Sequence, residues 1–252
     1  MKKGILGLVK KVGYTVVKEQ PNEKKYPDIE KEFWPLFEAC KPYTMSSVER
    51  LYSLYKSLDY IIQNNIPGDF VECGVWRGGV PMFIAKVLMK HKLTFRKIYL
   101  YDTYEGMPPP TTNDVDYKGR NADVLMDLHD GDKKAVDSVW CYSPYDEVAS
   151  NMRSTGYPTE NIVMVKGKVE DTIPANAPKN ICLLRLDTDW YESTFHELTH
   201  LYPLLSSKGI LIIDDYGHWE GARRAVDDYF SKQTYKPLLH RIDYTGRIAL
   251  KD

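Results

Sequence analysis

Five short apolar segments alternate with helical segments between residues 69 and 214, and this alternation limits the chain to a small set of folds. The predicted strands, each bounded by a Gly, Pro or Asp, cover residues 69–73, 97–102, 161–165, 181–187 and 209–214. Such alternation is typical of a parallel sheet covered by helices. Two later apolar runs, 237–242 and 246–250, predict a closing hairpin. We therefore expect an α/β fold with a mostly parallel sheet and a C-terminal antiparallel hairpin.

The residues before the first strand follow a different pattern. Apolar residues at helical spacing predict helices over 29–39 and 47–64. We expect residues 1–66 to form an N-terminal arm and helices that belong to the single domain and contact a second copy of the chain. Residues 67–252 would then carry the sheet and the binding site.

The segment 104–140 follows the second predicted strand and is rich in Pro, Asp, Asn and Gly. Connections of this length inside a domain are usually lids or binding loops. We predict a lid over the ligand-binding edge of the sheet, with one helix over 122–128. A plain solvated loop is the alternative.

Charge and cysteine content exclude several classes of function. The chain has 252 residues, and 34 basic against 35 acidic side chains give a net charge of −1, so nucleic acid is not an expected partner. The four cysteines form no CxxC pair, which indicates free thiols in a reducing compartment and favours a cytoplasmic protein. No apolar run approaches the roughly 20 residues that span a bilayer, so stable membrane insertion is not expected. Whether the basic residues 1–17 touch a membrane or a partner stays open.

A glycine-containing turn connects the first strand to the next helix. The strand leads into Glu72, Cys73 and Gly74, and Arg77, Gly78 and Gly79 come directly before an apolar helix. Glycine lets the main chain approach a ligand, and a helix N-terminus offers unpaired N–H groups. The spacing lacks the GxGxxG dinucleotide fingerprint, so NAD is the weaker interpretation. A merely structural tight turn is the alternative.

Acidic residues follow three of the predicted strands. Asp102 ends the second strand, where a carboxylate can accept hydrogen bonds from ribose hydroxyls. Asp187 and Asp189 follow the fourth strand, and Asp214 and Asp215 follow the fifth. Carboxylates at the ends of neighbouring parallel strands can converge, and they then favour a hard divalent cation such as Mg²⁺ or Mn²⁺. Capping of helices and turns is the alternative.

Several segments together resemble one family. The chain is similar to the macrocin O-methyltransferase family, the metal-dependent sugar O-methyltransferases of macrolide and aminocoumarin pathways, from about Thr44 to Lys251. The matching segments are 67–79, 102–108, 166–174, 184–194 and 212–217. Thr188 and Trp190 stand where antibiotic-pathway members carry smaller or aliphatic residues, which argues against a macrolide acceptor.

The resemblance implies a class I methyltransferase fold, a doubly wound Rossmann-like sheet that binds S-adenosylmethionine, and a divalent ion, Mg²⁺ or Mn²⁺, that holds two neighbouring sugar hydroxyls. It implies metal ligation by Asp187, Asp214 and Asp215. Asp189 is the implied general base, although Asp187 could exchange roles with it.

The resemblance also implies two sets of binding residues. The expected cofactor contacts are Glu72, Cys73, Gly74, Arg77, Gly78, Gly79, Asp102, Thr103, Gly167, Lys168, Val169 and Asp187. The candidate substrate contacts are Thr44, Met45, Tyr104, Tyr216 and His218, and a turn histidine without a substrate role is the alternative for His218. The expected partner is a small-molecule or glycan sugar with vicinal hydroxyls, and we expect a homo-oligomer, a dimer or larger.

Two other functions use parts of the same pattern. In a nucleotide-sugar glycosyltransferase, Asp187 and Asp189 would form a metal-binding DxD motif, but Asp214 and Asp215 would have no role. A non-catalytic scaffold could keep the cofactor turn without turnover.

Overall fold

The computed structural model describes residues 22–135 and 138–252. The chain forms two compact units, Met1–Pro35 and Leu36–Asp252. In the first unit, the described residues include the short helix α1 (Asn22–Lys25). All of the residues discussed below as parts of the site lie in the second unit.

The second unit is built on seven strands. They are β1 (Asp69–Cys73), β2 (Ile98–Asp102), β3 (Ile162–Lys166), β4 (Ile181–Leu186), β5 (Leu205–Ile213), β6 (His240–Arg241) and β7 (Arg247–Leu250). Their order in the sheet is β3-β2-β1-β4-β5-β7-β6. The first five are parallel, and β7 is antiparallel to β5 and β6. The order reverses at β1, so the carboxyl ends of β1 and β4 open a crevice of the kind that binds ligands in such sheets.

The further helices are α2 (Phe33–Cys40), α3 (Val48–Gln63), α4 (Gly79–Lys90), α5 (Ala122–Leu128), α6 (Tyr145–Ser154), α7 (Val169–Thr172), α8 (Tyr191–His200) and α9 (Glu220–Ser231). Of these, α2 and α3 precede β1, and the others lie between strands. The α3 helix begins after Ser47, whose hydroxyl accepts a hydrogen bond from the Arg50 N–H. No helix of the described segments is long and apolar enough to cross a membrane.

The predicted fold class is confirmed, and the predicted boundaries needed three corrections. The helix predicted over 29–39 begins only at Phe33. The strand predicted to start at residue 209 starts at Leu205, because the polar residues 206–208 continue it at the exposed end of the sheet. The first strand of the hairpin, predicted over 237–242, covers only His240–Arg241, which is exposed and pairs with β7.

The described part of the insertion, residues 104–135 and 138–140, packs through an apolar cluster of its own against residues that follow β4 and β5. Ala122, Leu125 and Met126 of α5 are buried against Trp190 and Trp219. The indole rings of Trp190 and Trp219 meet edge to face, with centroids 4.9 Å apart. The described part of the insertion is therefore a packed layer over the carboxyl edge of the sheet rather than a solvated loop.

Candidate active site

The carboxyl ends of β1, β2, β4 and β5 open into one cavity of about 390 Å³. Eight of the predicted cofactor contacts line this cavity: Glu72, Gly74, Asp102, Thr103, Gly167, Lys168, Val169 and Asp187. Cys73, Arg77, Gly78 and Gly79 do not line it. Cys73 is buried beneath the turn, and the partly buried Arg77 guanidinium lies over the Trp76 ring.

The turn after β1 depends on close approach of main chain to main chain. Gly74 has φ +79°, and a Cβ at this position would lie 1.9 Å from the Asp187 carbonyl oxygen. The Asp187 N–H donates to the Cys73 carbonyl over 2.9 Å, which ties the ends of β1 and β4 together. The wall beside β1 therefore requires glycine at this position.

Asp102 holds this turn from the end of β2. Its Oδ2 accepts hydrogen bonds from the N–H groups of Val75 (2.8 Å) and Trp76 (3.2 Å), and its Oδ1 accepts one from Tyr104 (2.7 Å). Burial nevertheless raises the pKa of this carboxyl. Asp102 organises the main chain of the turn, and a role in ribose binding remains a prediction.

Three carboxylates converge on the other side of the cavity. Asp187, Asp214 and Asp215 each present an oxygen within 4.8 Å of the others. The Oδ2 of Asp215 is buried and has no hydrogen-bond partner within the described residues. A buried carboxylate oxygen without a donor is costly, so this atom is available for a cation.

Two arginines complete this cluster, Arg185, which is buried, and Arg50, which is partly buried. The Arg185 guanidinium binds Glu72, Asp187 and Asp214, and the Arg50 guanidinium binds the second oxygen of Asp214. We refer to Arg50, Arg185 and the four carboxylates of Glu72, Asp187, Asp214 and Asp215 as the ionic cluster.

Sequence reasoning overlooked both arginines. Arg185 carried a signal in the sequence, because it is a charged residue inside the apolar β4 segment and a buried charge needs anionic partners. In the structure this residue is only 3% exposed. Arg50 carried no such signal in the sequence. It lies 164 positions before Asp214 and reaches that residue only because of where α3 packs.

The carboxylates differ in their proton affinity because their neighbours differ. Burial raises the pKa of Glu72 to about 8 even beside Arg185. Burial and the negative neighbours raise the pKa of Asp215 well above its usual range. Although burial opposes it, the charges of Arg185 and Arg50 hold the pKa of Asp214 below its usual value. Asp214 is therefore the firmly ionised member of the set.

Asp189 lies beside the ionic cluster in an unusual main-chain conformation. Its φ is +64°, a left-handed value that is uncommon for residues other than glycine. Burial and the neighbouring Asp187 charge raise its pKa to about 7. Strained residues of this kind persist where the surrounding structure holds them, often at functional sites.

The insertion holds the residues that follow Asp189. The Trp190 indole Nε1 donates to the Pro108 carbonyl over 3.0 Å, and the Tyr191 N–H donates to the buried Asp114 Oδ1 over 2.9 Å. The conformation of Asp189 thus depends on contacts from residues 108–114.

The predicted substrate contacts separate into two groups. Thr44, Met45 and His218 line the cavity. Tyr104 and Tyr216 do not, since the Tyr104 hydroxyl is buried and donates to the Leu100 carbonyl and the Tyr216 hydroxyl donates to Asp227.

Comparisons with known proteins agree with this architecture. Residues 5–249 match the family model described as Macrocin-O-methyltransferase (TylF). The demethyldecarbamoylnovobiocin O-methyltransferase of Streptomyces niveus is 34% identical over 213 residues, which are 84% of this chain and 76% of that protein. The 8-demethyl-8-(2,3-dimethoxy-alpha-L-rhamnosyl)-tetracenomycin-C 4'-O-methyltransferase of Streptomyces olivaceus is 34% identical over 204 residues, 81% of this chain and 74% of that protein.

A solved structure extends the agreement to the fold. The structure of the O-methyltransferase NovP is 34% identical and superposes with a TM-score of 0.70, covering 83% of this chain and 82% of that chain. The glycosyltransferase interpretation of Asp187 and Asp189 has no support in these comparisons. The chain belongs to the macrocin-O-methyltransferase family and is an S-adenosylmethionine-dependent O-methyltransferase of class I fold.

Proposed function

We propose that the enzyme requires a divalent cation, Mg²⁺ or Mn²⁺, and methylates a hydroxyl of a sugar or of a glycosylated small molecule that carries a second hydroxyl on the neighbouring carbon. The observation that carries this proposal is the convergence of Asp187, Asp214 and Asp215, with one buried Asp215 oxygen lacking a donor. The family relatives support the substrate class, because the name of the Streptomyces olivaceus enzyme includes a rhamnosyl group.

The residues present fit a hard divalent cation. Three carboxylate oxygens are the donor type that Mg²⁺ and Mn²⁺ prefer, and the adjoining cavity leaves room for further oxygen ligands. In their ionised forms, the five carboxylates of Asp189 and the ionic cluster outnumber the two guanidiniums of Arg50 and Arg185, so a bound divalent cation would offset the remaining negative charge. A bound divalent cation would lower the pKa of a sugar hydroxyl that it contacts.

Asp189 is the residue that we propose as the general base. It lines the cavity beside Asp187 and Asp215, and its pKa of about 7 lies near neutral pH. A carboxylate with a pKa near the working pH is well matched to accept a proton from a hydroxyl. Asp187 is tied to Arg185 over 2.5 Å and is thereby less free to move a proton.

The opposite wall of the cavity is proposed to hold S-adenosylmethionine. Gly74 and the turn at Gly167 present main chain there, and Asp102 orders the N–H groups of the β1 turn. When bound, the cofactor supplies an electrophilic methyl group. The protein contributes by placing donor and acceptor close together and by excluding water under the insertion.

A chelation experiment tests the proposal. Purified enzyme is treated with EDTA, dialysed and mixed with S-adenosylmethionine and a panel of methyl glycosides with cis or trans vicinal hydroxyls. We expect methyl transfer to at least one glycoside that disappears with EDTA and returns with Mg²⁺, while calorimetry shows S-adenosylhomocysteine binding in both states. Methyl transfer that is indifferent to EDTA would show that the acidic site does not use a metal.

The compartment and the assembly state stay predictions. We propose a cytoplasmic homo-oligomer, and light scattering of the purified chain would measure its mass.

A further inference from the structure

Three aromatic rings contact one another beside the cavity and come from three separate parts of the chain. Tyr117 belongs to the insertion, His218 follows β5, and Tyr244 lies in the turn between β6 and β7. The Tyr117 ring centroid is 5.2 Å from that of His218 and 5.9 Å from that of Tyr244. We call these three residues the aromatic wall.

Hydrogen bonds fix the aromatic wall in place. The Tyr117 N–H donates to the His218 carbonyl over 2.8 Å, and the His218 Nδ1 lies 3.0 Å from the Tyr244 hydroxyl. Gly217 allows the turn to approach, because a Cβ there would lie 1.8 Å from the Tyr244 carbonyl oxygen. The three rings therefore form a surface that is set before any ligand arrives.

The aromatic wall adjoins the acidic site. His218 and Tyr244 line the same cavity as Asp189 and Asp215. The next residue along the turn, Thr245, is buried and donates its hydroxyl hydrogen to the Asp214 carbonyl over 2.6 Å. A ligand held at the carboxylates and extending along this side of the cavity would reach His218 and Tyr244, and Tyr117 contacts both of these rings.

The rings are unusually accessible for aromatic side chains held so firmly. Tyr117 is 50% exposed and Tyr244 is 52% exposed. Burial lowers the pKa of His218, so its ring is neutral at physiological pH and offers a flat face rather than a charge. Ordered aromatic surfaces of this kind bind the apolar faces of rings at low entropic cost.

We propose that Tyr117, His218 and Tyr244 form a second subsite that stacks against the ring attached to the methylated sugar. This inference rests on the proposed function and specifies its acceptor as a glycoside rather than a free sugar. The common chemistry of the occupant is a ring with an apolar face, which either an aromatic aglycone or a second pyranose supplies. The Lys118 ammonium lies over the Tyr117 ring, 5.2 Å from its centroid.

The test compares matched glycosides. The enzyme is loaded with Mg²⁺ and S-adenosylhomocysteine, and ligand binding is measured by saturation-transfer NMR and calorimetry. The ligands are pairs of methyl and 4-nitrophenyl glycosides of rhamnose, fucose, glucose, galactose and mannose. Methyl glycosides of the corresponding disaccharides form a third arm. We expect a preference of about fivefold or more for the glycosides with a second ring, in line with the roughly 1 kcal/mol of one stacked pair.

Alanine variants test whether the preference for a second ring comes from the aromatic wall. Tyr117→Ala and Tyr244→Ala should each reduce it to less than about twofold, while Tyr244→Phe keeps the ring and should retain most of it. Tyr235→Ala, which removes an equally exposed tyrosine elsewhere, is the control. The Tyr117 backbone N–H remains in the alanine variant, so its tether to His218 persists.

The outcomes separate the subsite from the proposed function. A preference for 4-nitrophenyl glycosides alone identifies an aromatic aglycone, and a preference for disaccharides identifies a second sugar. If no second ring improves binding for any sugar, or if the preference survives in both alanine variants, the subsite proposal is overturned. Methyl transfer to the methyl glycosides would then still support the proposed function, whereas its absence would count against that function.

Discussion

The two sides of the cavity hold their polar groups by different means. Beside β1 and β2, the wall is made of main chain shaped by Gly74, and the Asp102 carboxylate is committed to three N–H groups. Beside β4 and β5, the wall is the ionic cluster, in which Arg185 and Arg50 neutralise carboxylates from three strands. The first side depends on shape and the second on charge balance.

This difference determines which substitutions each side tolerates. An added methyl group at Gly74 meets main chain that cannot move without moving β4. A lost charge in the ionic cluster leaves a buried partner uncompensated, which costs several kcal/mol. Side-chain volume should therefore be critical beside β1, and formal charge beside β4 and β5.

Removal of the central arginine should give the largest effect. Arg185→Met leaves Glu72, Asp187 and Asp214 without their shared cation, and breaking a buried ion pair in this way costs about 3–5 kcal/mol. We expect this loss in the free energy of unfolding from urea denaturation in EDTA. Arg153→Met, on the exposed face of α6, should change stability by no more than about 0.5 kcal/mol. Equal stability of the two variants would mean that the ionic cluster is not held by charge.

A glycine substitution examines the side that depends on shape. Gly74→Ala should weaken S-adenosylhomocysteine binding by roughly 100-fold, because the new Cβ forces the β1 turn and the β4 end apart and overpacking costs about 1–3 kcal/mol. Gly119→Ala is the matched control, since Gly119 has φ +77° but open space around it. If both variants bind S-adenosylhomocysteine equally well, the close contact between Gly74 and the end of β4 is not needed for cofactor binding.

The same contrast explains what the sequence could predict. The β1 turn was predictable because strand, glycines and helix are consecutive in the chain. The sequence also predicted all five parallel strands to within a few residues, because each strand is a local apolar run in the chain. The convergence of the acidic residues that follow β4 and β5 was expected from the general rule that neighbouring parallel strands end at one edge. The family resemblance singled out Asp187, Asp214 and Asp215 among them.

The non-local parts of the site could not be predicted. Arg50 reaches Asp214 across 164 positions of sequence, and the Trp190 indole reaches Pro108 across 82. The positions of such partners depend on how helices and the insertion pack, which no local pattern encodes. The conformation of Asp189, held in this way by the insertion, was likewise not predicted.

Two aspartate variants sharpen the comparison within the ionic cluster itself. Asp215→Asn should lower Mn²⁺ affinity by about tenfold or more, measured by electron paramagnetic resonance, while S-adenosylhomocysteine affinity stays within about twofold. Asp214→Asn should lower Mn²⁺ affinity and also destabilise the fold, because Asp214 is the partner of Arg50 and Arg185. Asp146→Asn on the exposed first turn of α6 is the control. Unchanged Mn²⁺ binding in Asp215→Asn would remove that residue from the metal site.

The smallest effect should come from the contact between the insertion and Asp189. Trp190→Phe keeps an aromatic ring in the apolar cluster but deletes the hydrogen bond from Nε1 to the Pro108 carbonyl, a loss of about 1 kcal/mol. We expect amide hydrogen exchange over residues 114–122 to accelerate about fivefold, with S-adenosylhomocysteine affinity unchanged. Methyl transfer should fall by a similar factor because Asp189 loses part of its support.

Tyr157→Phe separates this effect from general loosening of the fold. It deletes a comparable hydrogen bond, from the tyrosine hydroxyl to the Arg96 carbonyl, at a position outside the insertion. Exchange over residues 114–122 should stay at the wild-type rate in this variant. If Tyr157→Phe and Trp190→Phe accelerate that exchange equally, the insertion responds to overall stability. A response confined to Trp190→Phe shows that the insertion and the loop of Asp189 open together, so closure over the cavity and placement of the proposed base are one structural event.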